Sequence, residues 1–328
     1  MKRVARVMPL TALAVIAIAT LAAPYLAPND VATQFGDYVY APPMRVRIVD
    51  HEGRWRRPFV WRLRLVNRLE RRYEEDRSTR FPLEWFSSGR VVDVADPKGR
   101  PLLLLGGDSL GRDVFARIVQ GARMSLGVAL LAVVGALAIG TLLGGVAGYA
   151  GGWVDEALMR FAEFVLILPT IYVLLALRAV MPLVLPAGVV FTLTAVLLAV
   201  VGWPYATRGV RAIVAAERQR DYAAAAVALG AGRTRVLMRH LLPATGGFLL
   251  TQALLLLPAF ILAEATLSFA GLGFPEPIPS WGSMLREAAA PGTIADFPWL
   301  LAPAGAIVLV VLSLNVAARL RRATPPPW

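Results

Sequence analysis

Six stretches of about 20 mostly apolar residues constrain this chain more than any other feature, because about 20 such residues are what a helix needs to cross a hydrocarbon core. They are residues 8–27, 126–149, 161–180, 187–205, 248–270 and 300–318. Within each, the apolar side chains run all round the helix, as in lipid-facing segments, and do not form one stripe. Only 17% of the residues are charged and 57% are hydrophobic, which leaves too little polar surface for a soluble protein of 328 residues. With no cysteine, disulfides and thiolate metal sites are excluded. His51 and His240 are the only histidines and are far apart in sequence, so no metal cluster is expected. The net charge of +12 marks membrane flanks here, not a nucleic-acid surface. The first stretch has the basic start (Lys2, Arg3, Arg6) and the small residues of a signal peptide, but its apolar run continues past "TLAAP" to Leu26, which favours an uncleaved span.

Arginines set the orientation. Arg3 and Arg6 precede the first stretch, Arg208, Arg211, Arg218, Arg220, Arg233, Arg235 and Arg239 lie between the fourth and fifth, and Arg319, Arg321 and Arg322 follow the sixth. With six crossings these regions share one side, which the positive-inside rule makes cytoplasmic, so both termini are expected there. The expected organisation is a cytoplasmic stub and first helix over 1–27, an outer insertion over 28–117, a membrane domain over 118–318 with a cytoplasmic loop at 207–247, and a tail over 319–328. In the insertion, "MRVRIVD" and "FVWRLRLV" alternate as half-buried strands, whereas "NRLERRYEEDR" predicts a charged, exposed helix.

"GDSLG" around Ser109 fits the G-x-S-x-G pattern of a nucleophile elbow. His240 lies on the other side in this topology and His51 precedes the serine, against the chain order of that hydrolase fold, so a membrane-anchored serine hydrolase is the weaker reading. Asp108 or Ser109 instead predicts the cap of a helix beginning near Leu110, with Arg112 and Asp113 exposed on its first turn. Gly140, Gly144, Gly148 and Gly152 form a small-xxx-small ridge suited to close helix approach. Pro169, Pro204 and Pro258 interrupt the third to fifth stretches and predict kinks. Glu163 and Glu264 are acids in apolar surroundings and so candidates for a translocation path, Glu163 having Arg160 as a local partner. The outer segment 273–299 reads as a folded-back loop with a short helix near Met284–Ala289, and Trp281 and Trp299 read as interfacial anchors.

Between the fourth and fifth stretches, "ERQRDYAAAAVALGAG" is Ala-rich and helical, with Gly230 and Gly232 placed to end it. Tyr222, Ala226 and Leu229 share one face, suited to a partner's groove. The only lysines, Lys2 and Lys98, do not belong to any G-x-x-x-x-G-K-[ST] sequence, so ATP hydrolysis by a P-loop is excluded for this chain.

"GGDSLGRDVFARIVQGARMSL", "GYAGGWVDEALMR", "ALGAGRTRVLMRHLLPA", "ILAEATLSFAGLG" and "PSWGSML" occur in order. They resemble the permease subunits of dipeptide, oligopeptide and nickel ATP-binding-cassette importers over about residues 102–318. The resemblance implies an all-α polytopic membrane fold of six spans, here with a small mixed α/β periplasmic insertion after the first. It also implies a bacterial inner-membrane location and half of a peptide translocation path. The partners implied are a second homologous permease, two separate ATPase subunits that bind the ATP, and a periplasmic or lipid-anchored substrate-binding protein. No cofactor is expected in the chain itself. The periplasmic motif falls on Gly106, Asp108, Gly111, Arg112, Asp113 and Trp281, with Gly107 where the family has Thr. The ATPase-coupling set falls on Asp221, Tyr222, Ala224, Ala225, Ala226, Leu229, Gly230, His240 and Pro243. The acid of the family's E-A-A-x-x-x-G is replaced by Ala224, so Asp221 or Glu217 is expected to substitute. An ion-coupled secondary transporter remains the alternative, since polar groups in apolar spans also suit that class.

Overall fold

The computed structural model describes residues 2–50, 53–86, 89–94, 101–182 and 185–322. His51 and the tail beyond Arg322 lie outside the described residues. In chain order the helices are α1 (Lys2–Leu21), α2 (Ala23–Leu26), α3 (Val114–Ala150), α4 (Gly152–Ile167), α5 (Thr170–Ala179), α6 (Ala187–Glu217), α7 (Asp221–Ala228), α8 (Arg233–Val236), α9 (Gly246–Phe269), α10 (Trp281–Ala288), α11 (Thr293–Asp296) and α12 (Ala302–Arg322). The strands β1 (Arg47–Val49), β2 (Trp55–Asn67), β3 (Arg72–Trp85) and β4 (Val92–Val94) lie between α2 and α3. The chain divides into one unit of Met1–Thr11, Leu126–Leu267 and Val310–Trp328, and another of Ala12–Ser125 and Ser268–Leu309.

In the first unit, among the described residues, the helical stretches Val114–Ala150, Ala187–Glu217, Arg233–Phe269 and Pro298–Leu320 are long and apolar enough to cross a membrane, three of them continuing into the second unit. The pair α4 and α5 adds a fifth segment, bent by 83°. That bend falls at Leu168 and Pro169, where the chain turns extended: proline disfavours α conformation in the residue before it. The other two prolines do not end a helix. Pro204 lies inside α6 and Pro258 inside α9, and both helices run on through them. The glycine ridge is shorter than expected, because α3 ends at Ala150 and Gly152, with φ +58°, opens α4. Its other members do bring α3 against α6. A Cβ on Gly140 would stand 2.5 Å from the Ala206 Cβ, on Gly144 2.5 Å from the Thr207 carbonyl oxygen, and on Gly148 2.6 Å from that of Arg211. Arg211, on α6, grips Asp155, on α4, with two donated bonds.

The second unit holds an antiparallel sheet in the order β1-β2-β3-β4. Its core is Val60, Leu63, Phe81 and Leu83 against Tyr38, Ala41, Met44, Leu102 and Leu103. The charged run expected to be helical is instead the β2–β3 hairpin. Asn67 closes the turn by accepting from the Leu69 and Glu70 N–H groups at 2.9 and 3.3 Å. Strand pairing sets Arg62 opposite Asp76 and Arg64 opposite Glu74, acids of β3 across from arginines of β2, and Arg47 of β1 holds Glu75 at 3.0 Å. The helix expected near Leu110 begins four residues later, at Val114, and runs unbroken into the membrane stretch.

Candidate functional site

Ahead of α3, in the second unit, the chain from Gly106 to Asp113 folds into a tight loop closed by a bridge between Gly107 and Asp113. Gly106 and Gly111 adopt φ of +80° and +73°, and a side chain at Gly111 would collide with the Phe35 carbonyl oxygen. Asp108 organises the loop: Oδ1 accepts from the N–H groups of Leu110 and Arg112 at 2.9 and 2.8 Å, and Oδ2 accepts from Arg112 Nε at 2.7 Å.

Arg112 and Asp113, expected on the surface, are buried at 3% and 0% exposure. Arg112 reaches across to the loop after α9, donating to Glu276 Oε2 at 2.5 Å and standing 3.8 Å from Glu287 Oε2. Arg117, 1% exposed, lies 3.5 Å from both Asp108 and Glu276 and donates to the Pro277 carbonyl oxygen at 3.4 Å. Burial opposes the Arg112 charge, but Asp108 and Glu276 outweigh it and hold its pKa above the ordinary value. Asp113 is the helix cap that Asp108 and Ser109 were expected to be. Its Oδ1 accepts from the Phe115 N–H at 2.9 Å and its Oδ2 from Asn29 Nδ2 at 2.9 Å. Burial pushes its carboxyl up to about 6.

Ser109 donates its backbone N–H to Glu287 Oε1 at 2.6 Å, and its loop passes through Gly111 before any helix starts, so the strand–turn–helix of a nucleophile elbow is not formed. Trp281 is no interfacial anchor. It is 2% exposed, its Nε1 donates to the Ile118 carbonyl oxygen at 3.0 Å, and its N–H points to Ser125 Oγ at 3.3 Å. A Ser280–Ser283 capping box starts α10 beneath it. Trp299 is half-buried and donates to the Gly107 carbonyl oxygen at 3.1 Å. The loop thus gathers Gly106, Asp108, Gly111, Arg112, Asp113 and Trp281 in one unit. Sequence reasoning missed Glu276, Glu287 and Arg117; the signal was a Pro-rich segment whose three acids, Glu276, Glu287 and Asp296, have Arg286 as the one basic residue among them.

The second candidate region lies in the first unit, after α6. There α7 ends as expected at Gly230, φ +83°, whose N–H donates to the Val227 carbonyl oxygen while the Ala231 N–H donates to that of Ala226. These two bonds are a Schellman stop. Ala223, 2% exposed, seats the helix on Val210, Val214, Val236 and Leu241, with Ala226 packed beside it. Ala226 therefore belongs to the inner face. The outer face carries Tyr222 at 40% and Leu229 at 89% exposure, together with Asp221, Ala224 and Ala225. Tyr222 donates its hydroxyl to Glu217 Oε2 at 2.7 Å, and Arg220 Nε lies 3.1 Å from the same oxygen. Burial and this bond raise the Tyr222 pKa. Beyond α8, His240 sits half-buried in a single π turn over Leu237–Leu241, and Pro243, exposed, lies in the 3-10 turn that follows. A proline without an N–H fits such a change of ladder.

Of the two acids in apolar surroundings, Glu264 is buried at 1% exposure in α9. Glu163 is exposed on α4, and Arg160 pairs with Glu156 at 3.3 Å, in place of the expected Arg160–Glu163 pair.

Residues 140–322 match the family described as binding-protein-dependent transport system inner membrane component. A Brucella ovis protein named as a peptide permease is 40% identical over 211 residues, 64% of this chain and 68% of that protein. The dipeptide transport system permease protein DppC of Alkalihalophilus pseudofirmus is 38% identical over 212 residues, 64% of this chain and 67% of its own length. The oligopeptide transport system permease protein OppC of Bacillus subtilis is 36% identical over 212 residues, with 64% and 67% covered. With apolar helices long enough to cross a bilayer and a family match over more than half its length, this chain is a multi-pass membrane protein that belongs to the family of binding-protein-dependent transport system inner membrane components.

Proposed function

We propose that the chain is one half of the permease of an ATP-binding-cassette importer for peptides, paired with a second, homologous permease subunit. The names of its relatives support the peptide cargo. The family description supports a separate substrate-binding protein as donor. In this reading α1 completes six spans, both termini are cytoplasmic, and the sheet-bearing insertion stands on the outer side. Glu264 and Glu163 are the acids offered to the path.

The observation that carries the reading is α7. Only Ala223 and Ala226 are used to seat it, and Tyr222, Ala225 and Leu229 are left outward, spaced as an anchor row for a groove on another protein. Glu217 is engaged by Tyr222 and Arg220, so Asp221 is the carboxylate that takes the place of the missing coupling acid. ATP acts on two partner ATPases, and their closure moves α7 and the helices behind it between outward- and inward-facing arrangements. Shifting such an equilibrium from 1:99 to 99:1 takes roughly 5.5 kcal/mol of differential binding.

The test is reconstitution of the chain with its partner permease, ATPases and binding protein in proteoliposomes. Peptide uptake is expected to require ATP. Leu229→Glu is expected to lower it by about thirtyfold, the loss of an interface anchor worth about 2 kcal/mol, without lowering the thermal midpoint. Uptake by the permease without ATPases, or full uptake by the variant, would sink the proposal.

A further inference from the structure

We infer that the end of the sheet remote from the β2–β3 turn is a membrane-interface anchor, resting in the headgroup layer of the leaflet from which the first apolar helix emerges. This depends on the reading above that residues 8–27 cross the bilayer.

Strand pairing gathers the aromatic residues at this end. Trp55 pairs with Val49 at the open end of β2, and Trp85 pairs with Val92 at the end of β3. Phe59 stands opposite Pro82, Trp55 precedes the one by four residues and Phe86 follows the other by four, so both lie at the end of this strand pair away from the β2–β3 turn. These rings are not packed into the protein: Trp55 is 78%, Trp85 56% and Phe86 81% exposed. Three large aromatic side chains at one edge form a patch that calls for a partner.

Backbone hydrogen bonds say where that patch sits. The Val91 N–H donates to the Tyr25 carbonyl oxygen at 2.8 Å, and Arg90 donates to that of Pro28. Tyr25 belongs to α2, one turn beyond α1, and is itself 61% exposed, as are Ile18 (65%) and Leu21 (79%) before it. The aromatic edge is therefore tied to the point where an apolar helix leaves the hydrocarbon. Tryptophan and tyrosine concentrate at that level, where a ring can be half apolar and half wet. Arg54, Arg56 and Arg57 flank Trp55 and are exposed, Arg56 with its Nε 3.1 Å from Asp50, and their excess positive charge complements anionic headgroups. The insertion precedes residues 140–322, the part of the chain that matches the family.

The chain has no cysteine, so single labels are introduced without background. Trp55→Cys, Phe86→Cys, Leu69→Cys and Val15→Cys variants of the full chain carry nitroxides in nanodiscs of phosphatidylethanolamine and phosphatidylglycerol. Labels at 55 and 86 are expected about 5 Å or more below the phosphate level, colliding more with oxygen than with a water-soluble nickel chelate. The label at 69, at the opposite turn and 96% exposed in the native protein, is expected in water. Labels at 55 and 86 as accessible to nickel as that at 69 overturn the inference. So does shielding from both reagents, which would mean that protein covers the patch. The label at 15 separates the two levels: if it lies in hydrocarbon, the failure belongs to the anchor alone, and if it lies in water, the span reading falls and takes the anchor with it.

Discussion

At residue scale the loop ahead of α3 turns on two neighbours with opposite electrostatic roles. Arg112 serves three carboxylates from a buried position, so Arg112→Ala strands Asp108 with Arg117 at 3.5 Å as its remaining cation. Breaking a buried pair from one side costs about 3–5 kcal/mol, so faster hydrogen exchange over residues 102–118 and loss of uptake are expected. Arg112→Lys keeps the charge without the planar fork and is expected to fall between the two. Asp113 depends on pH in the direction that burial dictates. Its folded carboxyl titrates near 6 against 3.8 ordinarily, so the protonated form favours the fold. That contribution is complete below about 3.8 and is lost as pH rises through about 6. Exchange protection of the loop is expected to decline across that window, and Asp113→Asn to flatten the decline. A rise in protection with pH would show that the bonds from Asn29 and Phe115 outweigh desolvation. The residue types were legible in the sequence, but their burial was not. "GRD" reads as a charged surface turn until Glu276, 164 residues later, is brought against it.

At the scale of elements, close packing and ion pairing hold α3, α4 and α6 together. Gly144→Val is expected to force α6 away from α3, because its Cβ would meet the Thr207 carbonyl oxygen at 2.5 Å. Overpacking of this kind costs about 1–3 kcal/mol, read as a lower thermal midpoint in detergent. Gly188→Ala, with nothing within 4 Å, is the neutral control. Asp155→Arg is expected to loosen α4 from α6, and Arg211→Asp in the same chain to restore the pair, measured as ATP-driven uptake per ATP hydrolysed. Helices were the most legible elements, since apolar runs, the Ala-rich stretch and the Gly230 stop all act through local backbone terms. The β2–β3 hairpin was misread because its charges are set across a neighbouring strand and not along a helix face: Arg62 stands opposite Asp76, and Arg64 opposite Glu74.

At the scale of the whole molecule, one prediction concerns assembly. Asp221 is exposed, and an exposed ion pair is worth under about 1 kcal/mol, so Asp221→Asn is expected to weaken ATPase docking less than tenfold, measured by titrating ATPase onto the permease in nanodiscs. Leu229→Glu, which removes an apolar anchor, is expected to weaken it far more. A larger effect at Asp221 would place a buried cation opposite it. What the sequence determined by itself is the solvent each segment needs. A long apolar run must satisfy its own backbone groups in lipid, and only a helix does that locally, so spans and the membrane class follow from composition and length. The tertiary structure alone decided which polar groups are buried and with whom. Trp281 went inside, Arg112 found Glu276, Asp155 found Arg211, and two prolines were absorbed without a break. Those outcomes depend on partners far apart along the chain, whose meeting is set by packing and desolvation, and no local pattern of residues records them.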